Sequence, residues 1–226
     1  MDAQVDRLVK EALRALDESN GKRVLIGLSG IPGSGKSSLA RAVIAEISRM
    51  MPISAMVVPM DGWHLPKSAL DAMPEPKEAY ARRGAEWTFD GEAFADFVEA
   101  LRSAKSSLYA PTFSHSTADP VPHSLEVPLS VRLVLLEGLY CNLSEPPWER
   151  GAKALDLRWV VDIDEAEAEK RLVARHVATG VAKDRDEASW RARNNDLPNG
   201  VFLMRHVLQP ARHIASLDDP RWEGQE

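Results

Sequence analysis

Several features that define common protein classes are scarce or missing in this sequence. One cysteine among 226 residues excludes an internal disulfide framework and a thiolate metal cluster, and favours a reducing compartment. No apolar stretch is long enough to span a bilayer, and the charged N-terminal segment lacks the apolar core of a signal peptide. Basic residues are not in excess, since 28 Lys and Arg stand against 34 Asp and Glu. We therefore expect a cytoplasmic protein with no membrane partner and no nucleic-acid partner.

The apolar segments alternate between strand and helix patterns. Helical spacing predicts an N-terminal helix over about 5–16 and a second helix from Lys36 to about Met50. Short runs rich in β-branched residues predict five strands, at 24–28, 55–60, 131–138, 157–163 and, more weakly, 213–217. Successive strands are far enough apart for crossover connections, which favours an α/β fold with a parallel five-stranded sheet sandwiched by helices.

The segment 61–130 breaks this alternation. It contains many of the prolines, several aromatic residues and only one convincing helix, over 91–103. Long irregular segments inside a compact domain are usually functional or disordered, and the aromatic content here favours a structured segment. The sequence therefore predicts an insertion that faces the substrate.

Residues 30–37, Gly-Ile-Pro-Gly-Ser-Gly-Lys-Ser, match the P-loop pattern between a predicted strand and a predicted helix. Their glycines permit a tight turn whose N–H groups face phosphates, and the following helix adds its positive N-terminal end. Lys36 is expected to reach the β- and γ-phosphates of ATP, and the Ser37 hydroxyl is expected to bind Mg²⁺. The predicted ATP-binding residues of this loop are Gly30, Ile31, Pro32, Gly33, Ser34, Gly35, Lys36, Ser37 and, with less specificity, Ser38.

A P-loop alone does not separate kinases from GTPases and other ATPases. The sequence has no Asn-Lys-x-Asp segment for reading guanine, and its third strand ends Leu-Val-Leu-Leu-Glu-Gly-Leu-Tyr, with Glu137 as the acidic residue. This combination favours a small-molecule kinase. A P-loop regulatory NTPase, which uses ATP binding as a switch, remains the alternative from another class.

Three segments resemble, in order, the phosphoribulokinase and uridine kinase superfamily, including its pantothenate kinase branch and proteins labelled fructose transport system kinases. They are the P-loop, Pro-Met-Asp-Gly-Trp-His-Leu at 59–65, and the run from 82–90 through 109–120 to 133–140. The resemblance covers roughly 22–200. It implies a P-loop nucleoside triphosphate hydrolase fold of the nucleoside monophosphate kinase type, as a single domain, 1–226, with a substrate-binding insertion at about 61–130 and a lid at about 165–190.

The resemblance also implies roles for two carboxylates and a histidine. Asp61 would be the catalytic base that accepts the proton of the substrate hydroxyl, and the alternative is a turn aspartate before Gly62. Glu137 would bind Mg²⁺ directly or indirectly, and the alternative is a strand-end carboxylate satisfied by backbone. His64 stands where uridine kinases usually place a tyrosine, so it is expected to contact substrate but puts a nucleoside substrate in doubt.

Three further substrate contacts are expected in the insertion, each with a plainer alternative. Arg83 would order a polar substrate or lie on a solvated face, and Asp90 would contact a sugar hydroxyl or cap the helix that follows it. His115 would contact substrate or be structural.

The predicted lid begins at Asp164, which has capping-box spacing with Glu167. Arg171 and Arg175 then fall on one helix face and are expected to reach the phosphates, Arg175 as a catalytic residue. An exposed salt-bridged helix is the alternative. The segment 194–199 either approaches adenine or forms a turn.

These observations predict an ATP- and Mg²⁺-dependent kinase that phosphorylates a hydroxyl of a sugar or related metabolite, with fructose suggested only by the family label. Pantothenate or nucleoside (uridine) kinases are the nearest alternatives. The expected partner is a small-molecule substrate, and a homodimer is left open.

Overall fold

The computed structural model describes residues 2–51, 55–114 and 116–217. The strands are β1 (Val24–Gly30), β2 (Ala55–Pro59), β3 (Leu108–Ser114), β4 (Asp119–Val127), β5 (Leu133–Glu137), β6 (Leu157–Asp162) and β7 (Arg212–Ala215). The helices are α1 (Asp2–Glu18), α2 (Lys36–Met50), α3 (Lys67–Asp71), α4 (Pro76–Ala81), α5 (Gly91–Ser103), α6 (Trp148–Lys153), α7 (Glu165–Ala178), α8 (Arg185–Arg191) and α9 (Leu197–Arg205).

Five strands form one parallel sheet in the order β2-β5-β1-β6-β7. All five are the strands predicted from the sequence, including the weak C-terminal one. Every residue of β1 is buried between helical layers, which explains why its sequence is a nearly continuous apolar run. Because the strands are parallel, the carboxyl ends of β1, β2 and β5 lie at one edge of the sheet, where ligands bind in open α/β sheets.

Each face of the sheet is covered by its own apolar cluster. On one face α1 and α2 contribute buried residues such as Leu8 and Ile47, which confirms that the N-terminal helix packs against the core. On the other face Phe94 of α5, Trp148 of α6 and Leu203 of α9 are buried. The fold is therefore the predicted sheet sandwiched by helices. No helix among the described residues is long and apolar enough to cross a membrane.

The insertion contains a β-hairpin that the sequence patterns did not predict. Strands β3 and β4 form a separate antiparallel pair, whose register shifts between Ala110 and Thr112. Pro111 lies at that shift, and β4 carries Pro120 and Pro122. Proline disfavours a strand prediction, yet it is tolerated at bulges and on edge strands, and both strands of a two-stranded sheet are edges. The short helices α3 and α4 were likewise not predicted.

The hairpin packs directly on the loop that follows β2. A Cβ atom added to Gly62 would overlap the backbone carbonyl of Pro111 and approach Thr112 N to 2.9 Å. Glycine is needed at position 62 because the backbone of the turn and the backbone of β3 approach closely. This packing explains why a glycine follows Asp61. This contact fixes the hairpin next to Asp61.

We predict that Gly62→Ala lowers the free energy of unfolding by about 1–3 kcal/mol, because the added methyl group meets rigid backbone. Urea denaturation measures this change. Gly180→Ala is the control, since that glycine has φ +73° but open space around its Cβ position, and should cost only about 1–2 kcal/mol for the left-handed backbone. A smaller loss in Gly62→Ala than in Gly180→Ala would contradict the packing argument.

Candidate functional site

The loop between β1 and α2 has the geometry of an anion-binding turn. Gly33 and Gly35 adopt left-handed φ values of 83° and 81°, and Ser34 N donates to Ile31 O at 3.1 Å. Helix α2 begins at Lys36, so its unpaired N–H groups point towards the loop. The Ser34 hydroxyl is buried and has no hydrogen-bond partner in the described part of the chain. The left-handed glycines and the N-terminal end of α2 are therefore the parts of this loop that fit a phosphate group.

Lys36, Ser37 and Glu137 converge at the carboxyl ends of β1 and β5. Ser37 Oγ donates to Glu137 Oε1 at 3.1 Å, and Lys36 Nζ lies 4.0 Å from the same oxygen. The side chains of Lys36 and Glu137 are only 15% and 11% exposed. This pairing places a hydroxyl, a carboxylate and an ammonium group beside the phosphate loop.

Burial is the main cause of a raised pKa at Glu137, and the negative charge of Asp61 raises it further. Lys36 and the Ser37 hydrogen bond act in the opposite direction. Pro59 of β2 is the register partner of Glu137 in β5, and Asp61 follows Pro59 by two residues. The structure therefore brings the predicted base and the predicted metal ligand to the same edge of the sheet. The Asp61 side chain itself is exposed at the end of β2, in a 3₁₀ turn over Met60–Trp63.

The donor set suits Mg²⁺ better than a metal with an all-protein cage. The described residues contain no group of three or more His, Cys, Asp or Glu side chains that could hold a metal ion. Magnesium usually binds one or two carboxylates, substrate phosphates and water. The Ser37 hydroxyl and the Glu137 carboxylate provide the protein oxygens of such a site.

His64 is packed between two aromatic rings beside Asp61. Its ring centroid lies 3.9 Å from that of Phe89 and 4.7 Å from that of Phe113. His64 Nδ1 is 2.9 Å from the backbone oxygen of Asp61, and because a carbonyl oxygen only accepts, Nδ1 carries the proton. This contact fixes the histidine ring against the turn that carries the predicted base. A substrate contact by His64 stays a prediction.

Arg83 uses its guanidinium to hold the insertion together. Its Nη1 donates to Ala118 O at 2.7 Å and its Nη2 to Leu65 O at 3.0 Å, and it pairs with Asp119 at 3.4 Å. Its side chain is 12% exposed, so the solvated-face alternative is wrong. Arg83 therefore has a structural role within the insertion. Its contact with substrate stays a prediction.

Asp90 is the N-cap of α5, as the plainer alternative predicted. Its side chain accepts a hydrogen bond from Ala93 N at 2.9 Å, and its exposed carboxylate leaves the contact with a sugar hydroxyl as a prediction. His115 lies outside the described residues.

The predicted lid segment contains α7 and α8. Asp164 caps α7 by accepting from Ala166 N and Glu167 N, which confirms the predicted helix start. Arg171 Nη1 lies 3.4 Å from Gly33 O and 2.9 Å from Ser216 Oγ. Its guanidinium therefore lies beside the phosphate loop, whereas Arg175 lies one turn further along α7. The phosphate contacts of both arginines, and the catalytic role of Arg175, stay predictions.

The segment 194–199 is helical, so the turn alternative is wrong, and its approach to adenine stays a prediction. Residues Ala192–Asp196 form a π-helical turn that leads into α9, and Asn195 and Asn199 are buried. Asn195 Nδ2 donates to Arg83 O at 2.9 Å. The asparagines thus contact the insertion.

Tyr140 was also missed by the sequence analysis. It is buried, and its hydroxyl donates to Gly84 O at 2.9 Å. Its position three residues after Glu137 was the only signal, because the contact joins two distant parts of the chain.

The fold and this site define a P-loop nucleotide-binding protein. The chain belongs to the Phosphoribulokinase / Uridine kinase family, whose sequence model matches residues 25–199. A Schizosaccharomyces pombe protein, C227.14, provisionally named a uridine kinase, is 36% identical over 208 residues, which cover 91% of this chain and 87% of that protein.

Two solved structures are similar along nearly the whole chain. A Silicibacter protein provisionally named a fructose transport system kinase superposes with a TM-score of 0.82 and 33% identity, covering 92% of this chain and 97% of that one. YFH7 of Saccharomyces cerevisiae superposes with a TM-score of 0.85 and 22% identity, covering 95% and 99% respectively, and shows the shared fold. As a member of the Phosphoribulokinase / Uridine kinase family, the protein is an ATP-dependent kinase that transfers a phosphoryl group to a hydroxyl.

We predict that Glu137→Gln stabilises the protein in the absence of metal and nucleotide. The folded-state pKa of Glu137 is raised by burial, so its ionised form costs stability, and this cost grows as pH rises from the unfolded-state pKa to the folded-state pKa. Glutamine keeps an acceptor for Ser37 but carries no charge. Thermal unfolding should therefore show a gain at neutral pH that shrinks on acidification.

The control is Glu126→Gln, at an exposed side chain of β4, which should leave stability nearly unchanged across the same pH range. Lower stability of Glu137→Gln at neutral pH would contradict the account, because it would mean that the buried charge is net stabilising.

Proposed function

We propose that this kinase transfers the γ-phosphate of Mg²⁺·ATP to a hydroxyl of a sugar, polyol or related small metabolite. The observation that carries the proposal is the exposed Asp61 carboxylate at the same edge of the sheet as the largely buried pair Lys36 and Glu137 and the half-buried Ser37. Phosphoryl transfer requires an oriented hydroxyl and positive charge around the phosphates, and it leaves little covalent work to the protein.

Each residue of this cluster has a role in the proposed reaction. Asp61 orients the acceptor hydroxyl and accepts its proton. Lys36 neutralises charge that develops on the phosphates. Ser37 and Glu137 would hold Mg²⁺, which would supply further positive charge between the phosphate oxygens. The α7 arginines, Arg171 and Arg175, would add cationic groups when the segment 165–190 covers the nucleotide.

The proposed acceptor wall consists of the turn after β2, the hairpin and the loop before α5. His64 presents a polar ring held between Phe89 and Phe113. Arg83 and Asp90 lie in the same insertion. This mixture of donors, acceptors and aromatic edges supports a small hydroxylated acceptor.

We also propose a cytoplasmic location for the protein. Whether it forms a homodimer is open, and size-exclusion chromatography with light scattering would measure its oligomeric state.

A nucleoside acceptor is the second candidate, because the Schizosaccharomyces pombe relative carries a uridine kinase name. Fructose is a candidate acceptor for the same reason, because the similar Silicibacter protein carries a fructose transport system kinase name. A coupled ADP-release screen over fructose and other sugars, uridine and other nucleosides, pantothenate and glycerate would separate these classes.

We predict that Asp61→Asn retains ATP binding but lowers acceptor-stimulated ADP release by about 10²–10⁴-fold, because the amide cannot take the hydroxyl proton. Steady-state kinetics with the best acceptor from the screen measures this loss. Asp17→Asn, on the exposed face of α1, is the matched control. ATP turnover that needs no acceptor and is unchanged in Asp61→Asn would instead indicate a P-loop regulatory NTPase.

We predict that Lys36→Ala lowers kcat by about 10²–10³-fold, the range expected when one preorganised charge contact is removed from a transition state. Arg49→Ala changes a cation on the exposed end of the same helix, where it pairs with Glu46, and should keep the wild-type rate. A near-normal kcat in Lys36→Ala would rule out the proposed role of the loop lysine.

A further inference from the structure

The π-helical turn at Ala192–Asp196 joins two parts of the proposed site. It lies between α8 and α9, immediately after the segment that carries the α7 arginines. A π-turn inserts an extra residue into the helical register, and such turns occur frequently at functional sites. Here its last two residues, Asn195 and Asp196, contact different elements.

Asn195 uses both ends of its amide group, the nitrogen towards the insertion and the oxygen towards Asn199 of α9. Its Nδ2 donates to Arg83 O at 2.9 Å, and its Oδ1 accepts from Asn199 Nδ2 at 3.2 Å. Asn199 Oδ1 in turn accepts from Arg82 Nη2 at 2.8 Å. Asn195 and Asn199 are 2% and 3% exposed, so these bonds form where water cannot replace them. The two asparagines therefore bind the side chain of Arg82 and the backbone of Arg83.

Arg83 connects the π-helical turn to the proposed acceptor wall. Its guanidinium binds Leu65 O, next to His64, and Ala118 O in the hairpin. The same guanidinium lies 5.4 Å from the ring centroid of Phe113. The backbone of Arg83 is thus fixed by the π-turn, and its side chain fixes the two segments that surround His64 and Asp61.

Asp196 faces the opposite way, towards α7. Its Oδ2 lies 2.9 Å from His176 Nε2, and both side chains are largely buried. His176 directly follows Arg175 on α7, the helix whose Arg171 touches the phosphate loop. The position of α7 is therefore tied to the same turn that holds Arg83.

We infer that Asn195 and Asp196 are positioning residues that couple nucleotide contacts on α7 to the order of the acceptor wall. When nucleotide binds, it restricts the motion of α7. The contact between His176 and Asp196 then restricts the π-helical turn, and the hydrogen bond from Asn195 to Arg83 O restricts Arg83. The loop after β2 and the hairpin become more ordered in consequence. The inference rests on the proposed function for the location of the acceptor site.

Hydrogen exchange of the full chain, with and without Mg²⁺ and the non-hydrolysable ATP analogue AMP-PNP, tests this coupling. In the wild type, nucleotide should slow amide exchange at 82–89 and at His64 and Leu65 by about tenfold, since local opening of these segments becomes less favourable. Asn195→Leu removes the hydrogen bonds but keeps the branching and the number of heavy atoms of the side chain, and it should abolish this slowing, while AMP-PNP affinity stays within about twofold.

Asp196→Ala cuts the link on the α7 side, at a side chain with 16% exposure, and should abolish the same slowing even if Asn195→Leu fails to fold. Met204→Ala is the matched control. This side chain lies on the exposed side of α9, 37% exposed, so this variant should respond to nucleotide like the wild type.

The inference is overturned if nucleotide slows exchange only in the phosphate loop and α7 of the wild type. It is also overturned if Asn195→Leu or Asp196→Ala unfolds at lower temperature yet keeps the full nucleotide effect at 82–89, because that is the behaviour of a purely structural hydrogen bond. No acceptor takes part in this experiment, so its failure is distinct from failure of the proposed sugar or polyol substrate.

Discussion

The buried pairing of Glu137 with Ser37 and Lys36 is the interaction on which the site depends. It joins the end of β5 to the first turn of α2, and so links the strand that neighbours β2 to the phosphate loop. A carboxylate with little exposure is costly unless it is paired and hydrogen-bonded. Here that cost is partly offset by a lysine and a serine that themselves belong to the nucleotide site, so stability and function depend on the same three side chains.

The acceptor side depends on a second constraint, the close packing of backbone on backbone. Gly62 allows the β3–β4 hairpin to touch the turn that carries Asp61, and Gly138, directly after β5, leaves room for the side chain of Met60. Arg83 then joins the hairpin to the loop after that turn. The proposed base is therefore exposed to an acceptor while the backbone around it is held on two sides.

The sequence was sufficient to predict the parts of the molecule that local patterns determine. The five strands of the parallel sheet, the P-loop and the helix caps at Asp90 and Asp164 each follow from a short stretch of residues, and the structure has them. The hairpin was missed because its prolines argue against strands when the partner strand is unknown. The roles of Asn195 and Tyr140 were missed because their partners, Arg83 and Gly84, are far away in the sequence.

The central claim is that the γ-phosphate moves to an acceptor hydroxyl, with Asp61 on the acceptor side. Mass spectrometry of the products, using ATP labelled with heavy oxygen in its γ-phosphate and the best acceptor of the screen, tests it most directly. The account predicts a phosphate monoester of the acceptor that carries the labelled oxygens in the wild type and is nearly absent with Asp61→Asn. Label recovered only in inorganic phosphate, with an unmodified acceptor, would contradict it.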